Sequence, residues 1–287
     1  MKTLVIYFNL DGFAVQLKNH IEDALDELQI EWQECHISQA AEMSATFQPT
    51  MHLFFHPNKQ IYDYLPQIKE MKGHKLLWSM EDPYESDLTF DMLPYFYYIF
   101  TSDENTANEL QKSAPGNSIK YVPHACNPKV HHPLRVPWNY KSDICFIGNA
   151  YESRIDYLNR NMNSWIGKIL MLVGVGYRGV GGLDEHHVIH GHISEEEMVK
   201  YANGAKVCLN LHRLNSDLDM ANSRNIQPRH LNNRFYELAA MGKSQVVEGR
   251  DDMLEEIKAV MEKNPDEYSY VARLKEFYLP LLKGIGK

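Results

Sequence analysis

The chain has 287 residues, 44% of them hydrophobic and 23% charged, with aromatics at 11% and only 16 Gly and 13 Pro. That composition excludes low-complexity disorder, and at roughly 150 residues per domain it predicts two domains with real cores. The 29 basic and 38 acidic residues leave a formal net charge of −9, which argues against a phosphate-driven nucleic-acid partner.

No apolar run reaches the ~18 residues of a membrane span. Leu4–Phe8 is too short for the apolar core of a signal peptide. Cys35, Cys126, Cys145 and Cys208 form no C-x-x-C, and two lie inside apolar runs. They read as reduced core thiols of a cytoplasmic protein.

Thr3–Phe8 reads as a buried strand, and Phe13, Leu17, Ile21, Ala24 and Leu28 then recur at helical spacing. Glu31–His36 and Met51–Phe55 follow as strands, and Tyr62 to Met71 as a helix. Lys75–Ser79 and Tyr95–Phe100 are further strands. Thr101-x-x-Glu104 is a capping-box pattern that opens a helix to about Gln111, and Ile119–Val122 closes this half. The alternation predicts a parallel sheet covered on both faces. Asn127–Tyr140, with Pro128, Pro133 and Pro137, breaks the rhythm and reads as a linker.

The second half repeats the pattern. Asp143–Ile147, Lys168–Val173, His187–His190, Lys206–Leu211 and Ser244–Val247 read as strands. Glu152 to Asn161 reads as a helix. Another opens at the capping box Ser194-x-x-Glu197 and runs through Ala202. Leu231 to Met241 and Asp251 to Met261 follow, and Tyr268 to Leu282 is a last amphipathic helix broken near Pro280. Asn215 to Pro228 is a polar loop, long enough to suggest function. Two α/β halves joined by a proline-rich hinge imply a cleft where small ligands sit.

Several constellations could carry chemistry. Asn233, Arg234 and Glu237 fall in the first two turns of a helix, and Arg234 and Glu237 share a face. A helix N-terminus favours anions and an arginine adds a bidentate donor, while a plain surface ion pair is the bland alternative. Asn9-Leu10-Asp11-Gly12 is either a ligand-facing turn or a plain strand-to-helix connection. Gly174-x-Gly176-x-x-Gly179-x-Gly181-Gly182 lacks the lysine and the helix of a phosphate loop and reads as a flexible turn. His186, His187, His190 and His192, with Asp184 and Glu185, offer metal-type donors on one strand, but one element rarely makes a site, and no metal is expected. Glu81, Asp82, His124, His212 and Arg213 are polar residues at strand ends, where open α/β sheets bind ligands. Asp82, ahead of Pro83, is the candidate base for an acceptor hydroxyl, with His124 as a second catalytic candidate.

Glu237 followed by Gly242 and then a strand resembles the C-terminal half of the E-x7-E signature of group 1 glycosyltransferases. Asn233-Arg234-x-x-Glu237, with Leu209-Asn210-Leu211-His212-Arg213 upstream, resembles the CgeB-like glycosyltransferases more narrowly. Tyr121-Val122-Pro123-His124-Ala125 and Pro128 are similar to the family hinge. Asp143–Gly148 with Arg154 is similar to the opening of its nucleotide-binding domain. Gly191-x-Ile193-Ser194 and Glu197 to Leu211 are similar to the segment before the signature. Trp78-Ser79-x-x-Asp82-Pro83 is similar to its W-x-x-x-D-P stretch.

This resemblance implies an α/β GT-B fold, two Rossmann-like domains with a cleft between them. It places an acceptor-side domain at 1–135, a nucleotide-sugar domain at 141–265, and a helix at 266–287 that returns to the first. It implies a hexosyltransferase using a nucleoside diphosphate sugar, UDP favoured, with a glycan, protein or small-molecule acceptor and no further cofactor. Glu237 would hold the ribose hydroxyls, Arg154 the diphosphate, and the turn at His190 and Gly191 the base, with Asn233, Arg234, His212 and Arg213 lining the same site. Diphosphate stabilisation by arginine and helix N–H groups needs no metal. Where the broader signature has its first glutamate stands Arg229, either a further phosphate ligand or a loop cation. The alternatives are an inactive nucleotide-sugar-binding protein and a glycosyltransferase acting on DNA.

Overall fold

Apolar runs flanked by helical periodicity become parallel strands and covering helices in both halves of the chain. The computed structural model describes residues 2–9, 12–182, 187–215, 217 and 221–285, and of Phe13, His187 and His190 the backbone only. It divides into one unit of Met1–His124, Met220–His230 and Tyr270–Lys287, and a second of Ala125–Asp219 and Leu231–Ser269. The chain changes unit after His124, so the proline-rich stretch belongs wholly to the second unit, and the end of the long polar loop returns to the first.

In unit 1, β1 (Lys2–Tyr7), β2 (Glu31–His36), β3 (Met51–Phe55), β4 (His74–Ser79), β5 (Tyr98–Thr101) and β6 (Ser118–Tyr121) form a parallel sheet in the order β2-β1-β3-β4-β5-β6. The helices of this stretch are α1 (Gly12–Glu27), α2 (Ala40–Phe47), α3 (Leu65–Glu70), α4 (Ser86–Asp91) and α5 (Glu104–Ser113). Side chains alternate across each strand. Leu4, Ile6, Phe54, Leu77, Ile99 and Ile119 enter one core. On the other parity Phe55, Trp78 and Phe100 stack edge to face. Phe277 of the C-terminal segment extends that row, and Tyr278 bonds Thr3 at 2.7 Å.

Two local expectations change here. The helix after β5 is capped by Asp103, which accepts from the Thr106 N–H at 2.7 Å. Thr101 cannot cap it, because it is the last residue of β5 and its hydroxyl is committed to Asp82. The final helix does not break at Pro280. Instead α10 (Tyr270–Arg273) passes through a π turn at Leu274–Tyr278 into α11 (Leu279–Ile285). Widening the helix just before the proline relieves the clash of its ring with the preceding turn.

In unit 2, β7 (Ser142–Ile147), β8 (Leu170–Gly174), β9 (His187–His190), β10 (Ala205–Leu211) and β11 (Ser244–Glu248) make a parallel sheet in the order β11-β10-β7-β8-β9. Its helices are α6 (Glu152–Asn161), α7 (Glu195–Gly204), α8 (Asn233–Ala240) and α9 (Leu254–Met261). Cys145, Met171 and Cys208 face one core with Met198 and Leu238. Their neighbours Phe146, Leu172 and Leu209 face the other with Leu158 and Trp165. All four cysteines are buried free thiols. Among the described residues no helix is long and apolar enough to cross a membrane.

Candidate functional site

In unit 2 the strand order turns back at β7, so the connections after β7 and β10 diverge between those two strands. The crevice beyond the carboxyl ends at such a point is where open α/β sheets bind ligands. The sequence places its polar residues there. Arg154, in the first turn of α6, donates Nε to the Leu211 carbonyl at 2.9 Å and Nη1 to the Asn149 carbonyl at 2.8 Å. Its guanidinium lies 4.8 Å from the Tyr151 ring centroid, and that of Arg213 lies 4.6 Å from the same ring. Two cations are thus gathered at the ends of β7 and β10.

Helix α8 starts at the same edge. The Asn232 side chain caps it, accepting from the Phe235 N–H at 2.9 Å, and donates Nδ2 to Asn210 at 2.9 Å. The Asn232 N–H donates to His212 Nε2 at 3.1 Å. That bond leaves His212 neutral with its proton on Nδ1, a tautomer assigned from the hydrogen-bond network. Asn233 donates to Glu237 Oε1 at 2.7 Å, and Arg234 donates to Glu237 Oε2. Glu237 is only 4% exposed, so the pair is a buried one at a helix start rather than a surface decoration.

Glycines let the strand ends approach one another. Gly174 has φ +139°, and a Cβ on it would meet the Gly148 carbonyl oxygen at 2.3 Å. The buried Tyr177 hydroxyl donates to the Gly148 and Val173 carbonyls. The glycine run is therefore packed against the end of β7 at Gly174–Tyr177, not the flexible turn its composition suggested. Gly191, after β9, donates its N–H to the Gly174 carbonyl at 3.1 Å. Asp217, which the sequence reading missed, takes the N–H and hydroxyl of Ser153 in the first turn of α6 at 3.0 and 2.8 Å. No local pattern marks it, since 64 residues separate the partners.

The remaining candidates lie in unit 1. Asp82 is wholly buried and accepts from Thr89 at 2.9 Å and Thr101 at 2.6 Å. Burial pushes its pKa up to about 6 against the pull of those hydroxyls. With no exposed surface it cannot meet an acceptor, and its role as the acceptor's base is withdrawn. His124 is also buried, its Nδ1 has no hydrogen-bond partner among the described residues, and its carbonyl accepts from Arg273 at 3.2 Å. Burial holds its pKa well below the usual imidazole value, helped by the nearby charges of His230, His56 and Arg273.

Arg229 also belongs to unit 1. Its Nε donates to Glu104 at 2.8 Å, and its backbone N–H donates to Asp103. It is a loop cation with a carboxylate partner, and Glu104 neutralises the charge a phosphate would need. Leu10, Asp11, Asp184, Glu185, His186 and the side chains of His187 and His190 lie outside the described residues. The histidine run is therefore described only through the β9 backbone and the exposed His192, and the His190 assignment only through the backbone.

Residues 158–276 match the protein family described as "Glycosyl transferase-like". The chain is 23% identical over 245 residues to spore protein CgeB of Bacillus subtilis (strain 168), covering 84% of this chain and 77% of that one. The fold is similar to AviGT4, a glycosyltransferase involved in avilamycin A biosynthesis. That match has a TM-score of 0.65 at 12% identity over 99% of this chain and 98% of that one. It is also similar to the UDP-GlcNAc 2-epimerase of Methanocaldococcus jannaschii, with a TM-score of 0.58 at 10% identity over 98% and 99% of the two chains. The family match, the collinear motifs and the two parallel α/β sheets agree in making this chain similar to glycosyltransferases of GT-B fold, with the CgeB protein among its relatives.

Proposed function

We propose that the chain transfers a hexose from a UDP-sugar to a hydroxyl of a glycan, protein or small molecule, with unit 2 holding the nucleotide. The observation that carries this reading is Glu237 held by Asn233 and Arg234 at the start of α8, a helix tied through Asn232 to His212 at the end of β10, where Arg154 bonds the Leu211 carbonyl and shares the Tyr151 ring with Arg213. A carboxylate has about four lone-pair directions. Glu237 can keep Asn233 and Arg234 and still accept from ribose hydroxyls. Arg154, Arg213 and the first turn of α8 supply the positive end for a diphosphate. Charge stabilisation of a leaving diphosphate is electrostatic catalysis. Gly191 and the turn after β9 would receive the base. The UDP preference draws on the UDP-GlcNAc named for the epimerase of the same fold. A reducing, cytoplasmic setting suits the four free thiols.

Calorimetric titration of UDP and GDP against wild type and Glu237→Ala tests the reading. Hydrogen bonds to a charged group contribute about 1.5–3 kcal/mol, so UDP should bind the variant roughly ten- to a hundredfold more weakly. The intact UDP-sugar should lose the same factor, because ribose is common to both. Equal affinities for the two proteins would reduce Glu237 to a partner of Arg234 and end the assignment.

A further inference from the structure

The two most exposed large apolar side chains among the described residues, Trp138 at 83% and Ile166 at 72%, lie at one edge of the unit 2 sheet. Trp138 precedes β7 and Ile166 precedes β8, and those strands are paired neighbours. Both sit on tight turns. Ile166 (φ −52°, ψ 130°) and Gly167 (φ +74°) form the corner of a type II turn, closed by the Lys168 N–H on the Trp165 carbonyl at 2.9 Å. Trp138 opens a 3-10 turn, with the Lys141 N–H on its carbonyl at 3.0 Å. Tyr140 anchors that turn. Its ring packs on Tyr201 of α7 at 4.9 Å, and a Cβ on Gly204 would meet its carbonyl oxygen at 2.0 Å. The turns are pinned to the domain while Trp138 and Ile166 face solvent, at positions where polar residues, glycine or proline are the rule.

The same edge is basic. Residues 132–143, 163–169, 203–206 and 241–244 lead into the amino ends of β7, β8, β10 and β11. They carry Arg135, Lys141, Lys168, Lys206 and Lys243 against one acid, Asp143. Asp143 ties the edge together, accepting from Lys206 Nζ at 2.6 Å and from the Ile169 N–H at 2.8 Å. Those bonds, with the charge of Lys168 nearby, hold its carboxyl below the usual range. Lys243 donates to the Asn203 carbonyl at 3.2 Å. Arg135, Lys141 and Lys168 are exposed beside Trp138, Ile166 and the half-exposed Ile169. In a chain of net charge −9, this local excess of cations is complementary to an anionic surface.

We propose that the amino edge of the unit 2 sheet docks on an anionic phospholipid bilayer, with Trp138 and Ile166 in the interface and Arg135, Lys141 and Lys168 on the headgroups. An indole suits that depth, because its ring is apolar and its N–H bonds headgroups or water. Lysine and arginine reach headgroup phosphates while their stems lie along apolar surface. The residues proposed for the nucleotide stand at the opposite, carboxyl edge of the sheet. Strands of five and six residues separate the two edges, roughly 15–20 Å at ~3.3 Å per residue. Docking therefore leaves those residues uncovered, and the proposal does not depend on the donor reading.

The test is sedimentation of the full chain with vesicles of phosphatidylcholine alone and of phosphatidylcholine mixed with phosphatidylglycerol. Binding to the mixed vesicles is expected, with little to the neutral ones, and high salt should release it. Trp138→Ala should weaken binding roughly tenfold, and each of Arg135→Gln, Lys141→Gln and Lys168→Gln roughly fivefold. Denaturation midpoints and UDP affinity should not change, because all four side chains are exposed and far from the carboxyl edge. Acyl-chain brominated lipid should quench tryptophan fluorescence in wild type, and Trp138→Phe should remove that quenching while keeping most of the binding.

No binding to the mixed vesicles, or wild-type binding by Trp138→Ala and by the charge variants, would overturn the proposal. So would light scattering that shows a dimer abolished by Trp138→Ala, which would give this face to a second copy of the chain.

Discussion

Asp82 shows how burial changes the meaning of a residue type. A carboxylate at a strand end before a proline looked like a base, yet its oxygens are spent on Thr89 and Thr101 beneath the surface. Its folded-state pKa, about 6, lies above the ~3.9 of an unfolded aspartate. The stabilising contribution is therefore complete below pH ~4 and is lost as pH rises through about 6. Asp82→Asn stays neutral throughout and so should gain on wild type with rising pH. The stability difference should shift by roughly 2–3 kcal/mol between pH 4 and pH 8 in paired denaturant titrations. A pH-independent difference would mean that Asp82 is not strained by burial. Turnover of the variant should stay near normal, since nothing on Asp82 can touch substrate. Glu237 is a related case. Its burial with Arg234 means that Glu237→Ala should lower stability as well as nucleotide affinity, by up to about 3 kcal/mol.

At the scale of elements, α8 owes its position to its first residues. Asn232 caps the helix, ties it to Asn210 on β10, and donates its own backbone N–H to His212 at the end of that strand. The cap adjoins the candidate site, so weakening it should disturb the residues proposed to hold the nucleotide as well as the fold. Asn232→Ala removes the cap acceptor and should lower stability by about 1–2 kcal/mol, read as a lower denaturation midpoint. Asn232→Asp restores the cap acceptor and should recover most of that loss. An alanine variant as stable as wild type would show that α8 is held by its apolar face alone. That face, with Phe235 and Leu238 both buried, was legible from helical spacing. The long-range ties to β10 were not.

Across the whole molecule, two parallel sheets follow from two rounds of strand–helix alternation. What spacing does not show is membership. Ala221 to His230 stands between β10 and α8 in sequence, yet it packs with unit 1 through Asp87, Asn105 and Ile226 in the core. The C-terminal segment from Tyr270 does the same. On the proposed donor reading, the guanidinium groups and the helix start of unit 2 would carry the charge of a diphosphate without a divalent ion. Release of UDP from a UDP-sugar should accordingly survive EDTA. Loss of release, restored by Mn²⁺ or Mg²⁺, would assign the diphosphate charge to a metal instead.

The sequence by itself determined the strands, most helices, the parallel α/β class and the family resemblance. These depend on periodicity and on short motifs, which are properties of neighbours in the chain. It also placed Arg154, His212, Arg213, Asn233, Arg234 and Glu237 on the correct local elements. Only the tertiary structure decided that Asp82 is sealed, that Arg229 answers Glu104, and that Asp103 meets His230 across 127 residues. The difference is physical. Burial and ion pairing depend on which strand ends lie side by side, and sheet order sets that, whereas the spacing of residues along one strand or helix does not.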